Sequence, residues 1–421
     1  MKTNNPWLEK TRALEPSLVA MEATLFATPE LGFKEQKTRD HLVQFFAQHG
    51  LSITKDFGIN GFQITIGEGT PHIALIAEMD ALVVPGHFQQ GPDGAAHACG
   101  HHLQGTILSH VLTLLKDESF QGRVSYFAIA AEEYVDLAYR KELQQQGKIA
   151  LLSGKQNLIL QQAFDDVDVA IGVHTMGETH APKMELNASL SGFIYKTLTF
   201  HGQGAHAAVS PHLGVNALHA LALTQNAIAF LRETFQEEDR IRIHMITTQG
   251  GQSVNSVPEE AVLEGYVRAQ RPEVLTKVSE QVNQAAHHSA QALGASVTID
   301  DAVGYLPLHQ SRALSDVLRQ SMNEVVDEIV DNQLSFAAGD IGDMSVFLPT
   351  IQIGFSGCIG RVHGSDFKMQ SVDEALIYPT FVIVDSVARL LQQPSLVDAI
   401  KQAHTPSMTL SDYKLLHGVT V

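Results

Sequence analysis

Cysteine is almost absent from this chain. Its 421 residues include two cysteines, too few for a disulfide framework, so a reducing compartment is expected. Basic residues are also in short supply, with 28 Lys+Arg against 46 Asp+Glu and a net charge of −18. Nucleic acid and anionic membrane both call for a basic surface, so neither is expected as a partner. Nowhere do 18 apolar residues run together, which argues against a transmembrane helix. The opening segment Met1-Lys2-Thr3-Asn4-Asn5-Pro6-Trp7-Leu8-Glu9 lacks an apolar core of signal-peptide length. A cytoplasmic location is the resulting expectation. No G-x-S-x-G occurs, so a serine hydrolase would lack its nucleophile elbow. Internal repeats and low-complexity tracts are missing as well.

What remains is an ordinary globular composition, 44% hydrophobic and 18% charged, in a chain long enough for two or three domains. Two textures divide it. In the first, short apolar runs at Ile73–Ala77, Val124–Ala130 and Val167–Val173 alternate with helical patterns at 36–48 and 103–116. Such runs read as strands buried on both faces of an α/β layered domain. Each is followed at once by polar residues: Glu78 and Asp80, then Glu132 and Glu133, then His174. Open α/β sheets bind ligands there, outside the carboxyl ends of their strands.

The second texture begins near Leu190. Phe193–Phe200, Ala261–Val267 and Ala295–Ile299 alternate apolar and polar residues, and helical stretches at about 214–232 and 273–293 separate four strand candidates. The order β-α-β-β-α-β predicts a ferredoxin-like α+β domain over 188–306, inserted into a catalytic domain made of 1–187 and 307–421.

Cys99-Gly100-His101-His102 is the most informative stretch. A thiolate and an imidazole two residues apart suit zinc, although a lone C-x-H reads as a buried free cysteine beside histidines. Glu133, His174 and His363 raise the count to five protein ligands, enough for two metals if one ligand or a water is shared. Zinc lowers the pKa of a bound water to about 7, and paired ions can also polarise a carbonyl. Of the adjacent carboxylates one is expected to bind metal and the other to stay within reach of the water as general base and acid. The histidines at 41, 110, 201, 212, 219, 244, 287 and 288 have no partner motif and read as surface or satisfied groups. Cys358 reads as a packing residue.

These segments resemble the dinuclear metal amidohydrolases of the aminoacylase and carboxypeptidase type. The likeness is to the branch with auxin-conjugate (indole-acetyl amino acid), hippurate and aminobenzoyl-glutamate hydrolases. It runs from Thr28-Pro29-Glu30-Leu31-Gly32-Phe33 to Phe367. It rests on MDAL at 79–82, HACGH at 97–101, AEE at 131–133, GVH at 172–174, GQGAHAA at 202–208, NSVPEEAVLEGYVRA at 255–269 and HGSDF at 363–367. The resemblance implies a zinc-exopeptidase-like layered catalytic domain with the inserted domain serving as lid and dimerisation surface, in a homodimer. It assigns metal ligation to Cys99, His101, Glu133, His174 and His363, with two divalent ions per subunit. Zinc is the first choice, with manganese or cobalt as alternatives. Glu132 falls on the general acid/base, and Asp80 on an acidic position that orients a ligand. His206 matches a histidine that stabilises the tetrahedral intermediate in the partner's active site. Asn255 and Arg268 match residues that hold the substrate's carbonyl and carboxylate, a role that suits the guanidinium fork.

Two positions depart from that branch. Glu78 stands where it commonly has Asp in Asp-Met-Asp-Ala-Leu-Pro, and His102 where it often has Asp in Cys-Gly-His-Asp. His102 replaces an obligate acceptor with a possible donor, either retuning the groups around the ligands or adding a ligand of its own. The expected reaction is hydrolysis of the amide bond of an N-acyl amino acid, dipeptide or related small molecule. The alternative is a non-catalytic or altered-specificity dimer that binds metal and ligand.

Overall fold

The computed structural model describes residues 4–419, which form two compact units. The first comprises residues up to Ser189, His309–Ser335 and Asp343 onward. The second comprises Leu190–Leu308 and Phe336–Gly342. The 336–342 segment carries no periodic signal that would mark it as part of the second unit.

In the first unit, an eight-stranded sheet is seen among the described residues. Its strands in chain order are β1 (Lys55–Asp56), β2 (Gly61–Glu68), β3 (His72–Glu78), β4 (Gly122–Ile129), β5 (Val169–Thr175), β6 (Lys183–Leu186), β11 (Glu328–Asp331) and β12 (Thr350–Phe355), where β7 to β10 belong to the second unit. Their order in the sheet is β1-β2-β4-β3-β5-β12-β6-β11. The four central strands β4, β3, β5 and β12 are parallel, and β2 joins β4 antiparallel. Parallel strands with both faces covered carry apolar residues at nearly every position, and all seven residues of β3 are buried. The helix His101–Leu115 packs on β3, β4 and β5, and is itself covered by Glu15–Phe26 and Tyr378–Gln392. Because the four strands share a direction, their carboxyl ends meet at one edge, and the segments at 78–80, 130–133 and 174–176 gather there.

The second unit is a βαββαβ fold: β7 (Gly192–His201), helix Ala217–Leu231, β8 (Arg242–Gln249), β9 (Glu260–Ala269), helix Pro272–Ala292 and β10 (Ser296–Val303). The sheet order β8-β9-β7-β10 with every neighbour antiparallel is ferredoxin-like. Both helices pack on one face. Ile194, Leu198, Phe200, Leu263 and Val267 point to that face and are buried, whereas Tyr195, Thr197, Thr199 and Tyr266 on the other face are half-exposed. The alternation of strand side chains between faces explains the mixed texture of these sequences.

Candidate metal centre

The side chains of the centre are carried at or just beyond strand ends and at a helix start. Asp80 lies two residues beyond β3, Glu132 and Glu133 three and four beyond β4, and His174 one residue before the end of β5. Cys99 and His101 flank Gly100, the left-handed residue (φ 88°) that starts the helix His101–Leu115. A Cβ on Gly100 would stand 2.7 Å from Thr175 Cγ2, so both backbone conformation and space require glycine. Ala131 (φ 58°) and His363 (φ 65°) are non-glycine residues in the same sparse region. Such strain persists only where the surroundings over-determine it. At Ala131 they do: its N–H donates to Glu35 Oε1 at 2.8 Å, and the fully buried Arg140 donates to the carbonyls of Ala131 and Leu152, at 3.3 and 2.7 Å, and to that of Glu133. His363 N–H donates to Ala98 O at 2.7 Å.

These turns bring the donor atoms together. Cys99 Sγ lies 3.4 Å from His174 Nε2 and 3.3 Å from His363 Nε2, and His363 Nε2 is 3.3 Å from Glu133 Oε1. Two clusters result, Cys99–His101–His174 and Cys99–Glu133–His363, each with its donor atoms within 4.8 Å of one another and both containing Cys99. Soft sulfur, imidazole nitrogen and carboxylate oxygen at such spacing are the donor set of a zinc-like ion bound at about 2.0–2.3 Å per ligand. Glu133 Oε1 and His101 Nε2 are buried without a hydrogen-bond partner, a costly state for polar atoms that a cation would relieve. The donor set thus fits a metal centre, and Cys99 is common to both clusters.

Asp80, fully buried, ties the clusters together. Its backbone oxygen and Oδ1 lie 2.9 and 3.1 Å from His101 Nδ1, and its Oδ2 accepts from Glu133 N–H at 2.9 Å. Two acceptors at Nδ1 require the proton there, leaving the Nε2 lone pair for a metal. Glu132 Oε2 is 3.8 Å from His101 Nε2. Burial lifts the Cys99 thiol well above its ordinary range, with Glu133 adding to the effect; a bound cation acts the other way and favours the thiolate. Burial also works against ionisation of Glu133, but His363 outweighs it and holds the carboxyl low.

His102 takes no part in either cluster. Its ring turns away, with Nε2 3.5 Å from Glu22 Oε1, and packs beside Phe26 and His97 at centroid distances of 5.0 and 5.2 Å. Burial pushes it down to about 3. The reason is helical phase: consecutive residues at a helix start point about 100° apart, so only His101 can face the strand ends. Glu35 and Arg140, which clamp the 131–133 turn, carry no motif that announces them, because an isolated acid or base in sequence looks like surface. Cys358 is buried outside both clusters, and His110 is satisfied by Thr106 O and Ser17 Oγ.

His206, Asn255 and Arg268 lie in the second unit. Segments 205–207 and 255–257 run side by side, with Ala207 N–H donating to Asn255 O and Val257 N–H to Ala205 O, both at 2.9 Å. Exposed His206 accepts at Nδ1 from the N–H groups of Ala208 and Val209, each at 3.2 Å. That fixes the Nε2–H tautomer and presents a donor to solvent. A cavity of about 790 Å³ next to these loops is lined by Asn216, Ser253, Ser256 and Val257 among others. Arg268, on β9, stacks on Tyr266 and Phe193 and donates to Phe336 O at 2.5 Å.

Residues 188–292 match the family described as a peptidase dimerisation domain. Over 328 residues, 73% of the chain, the sequence is 30% identical to one of the subunits of the p-aminobenzoyl-glutamate hydrolase of Escherichia coli, spanning 63% of that protein's length. It is 25% identical over 398 residues to N-acetyl-L-cysteine deacetylase of Bacillus subtilis, covering 90% of this chain and 89% of the relative. Among solved structures, a dinuclear metal-binding peptidase of the M20 family from Bacillus subtilis shares the fold with a TM-score of 0.73 at 18% identity, over 90% of this chain and 99% of that one. The chain is therefore a homologue of the M20 hydrolases and peptidases and carries their dimerisation domain.

Proposed function

We propose that this protein is a metal-dependent amidohydrolase that cleaves the amide bond of an N-acyl amino acid, a dipeptide or a related small amide. The observation that carries the reading is the pair of donor clusters sharing Cys99, with the Glu132 carboxylate beside them. The names of the two curated relatives, one for an aroyl-glutamate and one for an acetyl-cysteine, support an amide to an amino-acid nitrogen as the scissile bond.

Cys99, His101, Glu133, His174 and His363 would hold two divalent ions, zinc by donor type, with manganese or cobalt as alternatives. When bound, such ions acidify a water and polarise the scissile carbonyl. Glu132 accepts the proton of the attacking water and then delivers it to the leaving nitrogen. Asp80 holds His101 and the Glu133 backbone in place. His206 donates its Nε2–H to the oxygen that gains charge, and Asn255 and Arg268 bind the substrate's carbonyl and carboxylate. Dimerisation through the inserted domain would let His206 serve the partner's centre.

A hydrolysis screen of acyl amino acids and dipeptides with added zinc, manganese or cobalt tests the activity. Within it, Glu132→Gln is expected to keep its metal and lose turnover by about 10²–10⁴, the usual contribution of a positioned acid/base. Glu133→Gln should weaken metal binding instead. Exchanged phenotypes would mean that ligand and base are assigned the wrong way round.

A further inference from the structure

Glu78 closes β3 and is 4% exposed, yet it is held by three neighbours. The fully buried Lys155, from the helix Gly154–Leu160, donates to Oε1 at 2.6 Å. Gln104 donates to Oε2 at 2.7 Å and accepts from Glu78 N–H at 3.2 Å. The same Oε2 lies 3.0 Å from His101 Nε2.

The contact between Oε2 and His101 Nε2 is informative because it is close without being a hydrogen bond. Nε2 has no hydrogen-bond partner although the carboxylate oxygen is 3.0 Å away. The oxygen therefore sits off the direction in which a ring proton would point. With Nδ1 protonated by its bonds to Asp80, the neutral ring keeps a lone pair on Nε2 close to the carboxylate oxygen, and a cation bound beside both relieves their repulsion. One positioned off the line between them satisfies both, and 3.0 Å is a reasonable separation for two ligands each about 2.0–2.2 Å from a single ion. Glu78, His101 and Glu132 form a third cluster of donor atoms within 4.8 Å of one another. Glutamate is one methylene longer than the aspartate common in the resembled branch, which carries its carboxylate to Lys155, Gln104 and His101 together.

We propose that Glu78 is a sixth metal-binding side chain of the centre, acting through Oε2 on the ion held by His101. Lys155 and Gln104 are positioning residues: one balances the charge of the buried carboxylate, and the other aims its oxygen. The proposal rests on the two-ion reading of the preceding subsection.

The direct test is a crystal structure of the zinc-loaded wild-type protein with anomalous data at the zinc edge. An ion within about 2.3 Å of Glu78 Oε2 is expected, and a separation beyond about 3 Å from every ion overturns the proposal. In solution, the chelator-stripped full chain is titrated with Zn²⁺ and, in parallel, with Co²⁺ followed by visible absorption. Gln104→Leu should weaken one of the two ions by about 10–100-fold, the range for partners that orient a ligand. Glu78→Gln should weaken the same ion at least as much and alter the Co²⁺ spectrum. Because Glu78→Gln removes the carboxylate charge from beside the buried Lys155, the double variant Glu78→Gln/Lys155→Met is measured beside it and should behave alike. Two ions bound with wild-type affinity and spectrum in these variants would reduce Glu78 to a structural partner of Lys155. Cys99→Ser separates the two levels of failure. If it loses metal while the Glu78 variants do not, only the role of Glu78 falls. If it also binds as wild type, the two-ion reading falls with it.

Discussion

At the scale of single residues, hydrogen-bond partners separate His101 from His110, although both are buried. The His101 ring is fixed by Asp80 with Nε2 turned to the donor clusters, whereas His110 is buried with both nitrogens satisfied, Nδ1 donating to Thr106 O at 2.8 Å and Nε2 accepting from Ser17 at 2.9 Å. Burial pushes His110 down to about 4. A histidine whose folded pKa lies below its unfolded value of about 6.5 contributes stability that is complete above pH 6.5 and is lost as pH falls toward 4. The loss should reach about 3 kcal/mol by pH 4. Unfolding free energies from urea titration at pH 7 and pH 4 should therefore differ by about that much less in His110→Gln than in wild type. An equal drop in both proteins would show that His110 does not drive the acid response. Glu22, pushed up to about 7 by burial, acts with the opposite sign, its contribution fading as pH rises from about 4.5 to 7, so the slope specific to His110 emerges only from the variant comparison. His110, read in sequence as a surface or satisfied group for lack of a partner motif, is the second of these. The aim of His102 was not legible in sequence, because two adjacent histidines look equivalent until a helix gives them different directions.

At the scale of elements, the centre depends on turns more than on the strands that precede them. The strands were visible as apolar runs, and the helices at 36–48 and 103–116 as periodic stretches, the second observed as His101–Leu115, since pattern reports burial directly. The turns were marked only by their functional residues. Gly100 shows the constraint most sharply: its φ of 88° and the 2.7 Å that would separate a Cβ there from Thr175 leave no room for alanine. Gly100→Ala should cost about 1–3 kcal/mol in stability and displace Cys99 from His101. Metal content after dialysis and the thermal midpoint would both fall. Full metal retention with an unchanged midpoint would mean that the turn relaxes without moving the ligands. The buried helix Gly154–Leu160 is one of the elements that sequence reading did not place. Its Lys155 and Gln156 look like surface residues, yet they are 0% and 1% exposed because Glu78 and Asp343 meet them inside the first unit.

At the scale of the whole molecule, the dimerisation domain defines the assembly to test. Leu223 and Phe230 on the helix Ala217–Leu231, and Ile246 on the edge strand β8, are exposed large apolar residues of the second unit. An open edge strand with apolar neighbours needs covering, and a two-fold pairing of identical edges covers both copies at once. Light scattering should return twice the 45.8 kDa chain mass. If His206 serves the partner's centre, mixing inactive His206→Ala with inactive Glu132→Gln under conditions of subunit exchange restores part of the activity, because one site in each mixed dimer is intact. Demonstrated exchange without recovered activity would confine His206 to its own subunit or remove it from the reaction.

The amino-acid sequence by itself determined the class of chain and the βαββαβ order of the inserted segment, and it named candidate donor residues. Each of these is written in composition, in period or in short motifs whose neighbours along the chain are also neighbours in space. Only the tertiary structure decided that Cys99 belongs to both donor clusters, that His102 faces Glu22, that Glu35 and Arg140 clamp the turn at Ala131, and that Lys155 supports Glu78. These relations join residues from 7 to 264 positions apart, and a buried charge finds its partner by where strands end in three dimensions, which no local pattern records.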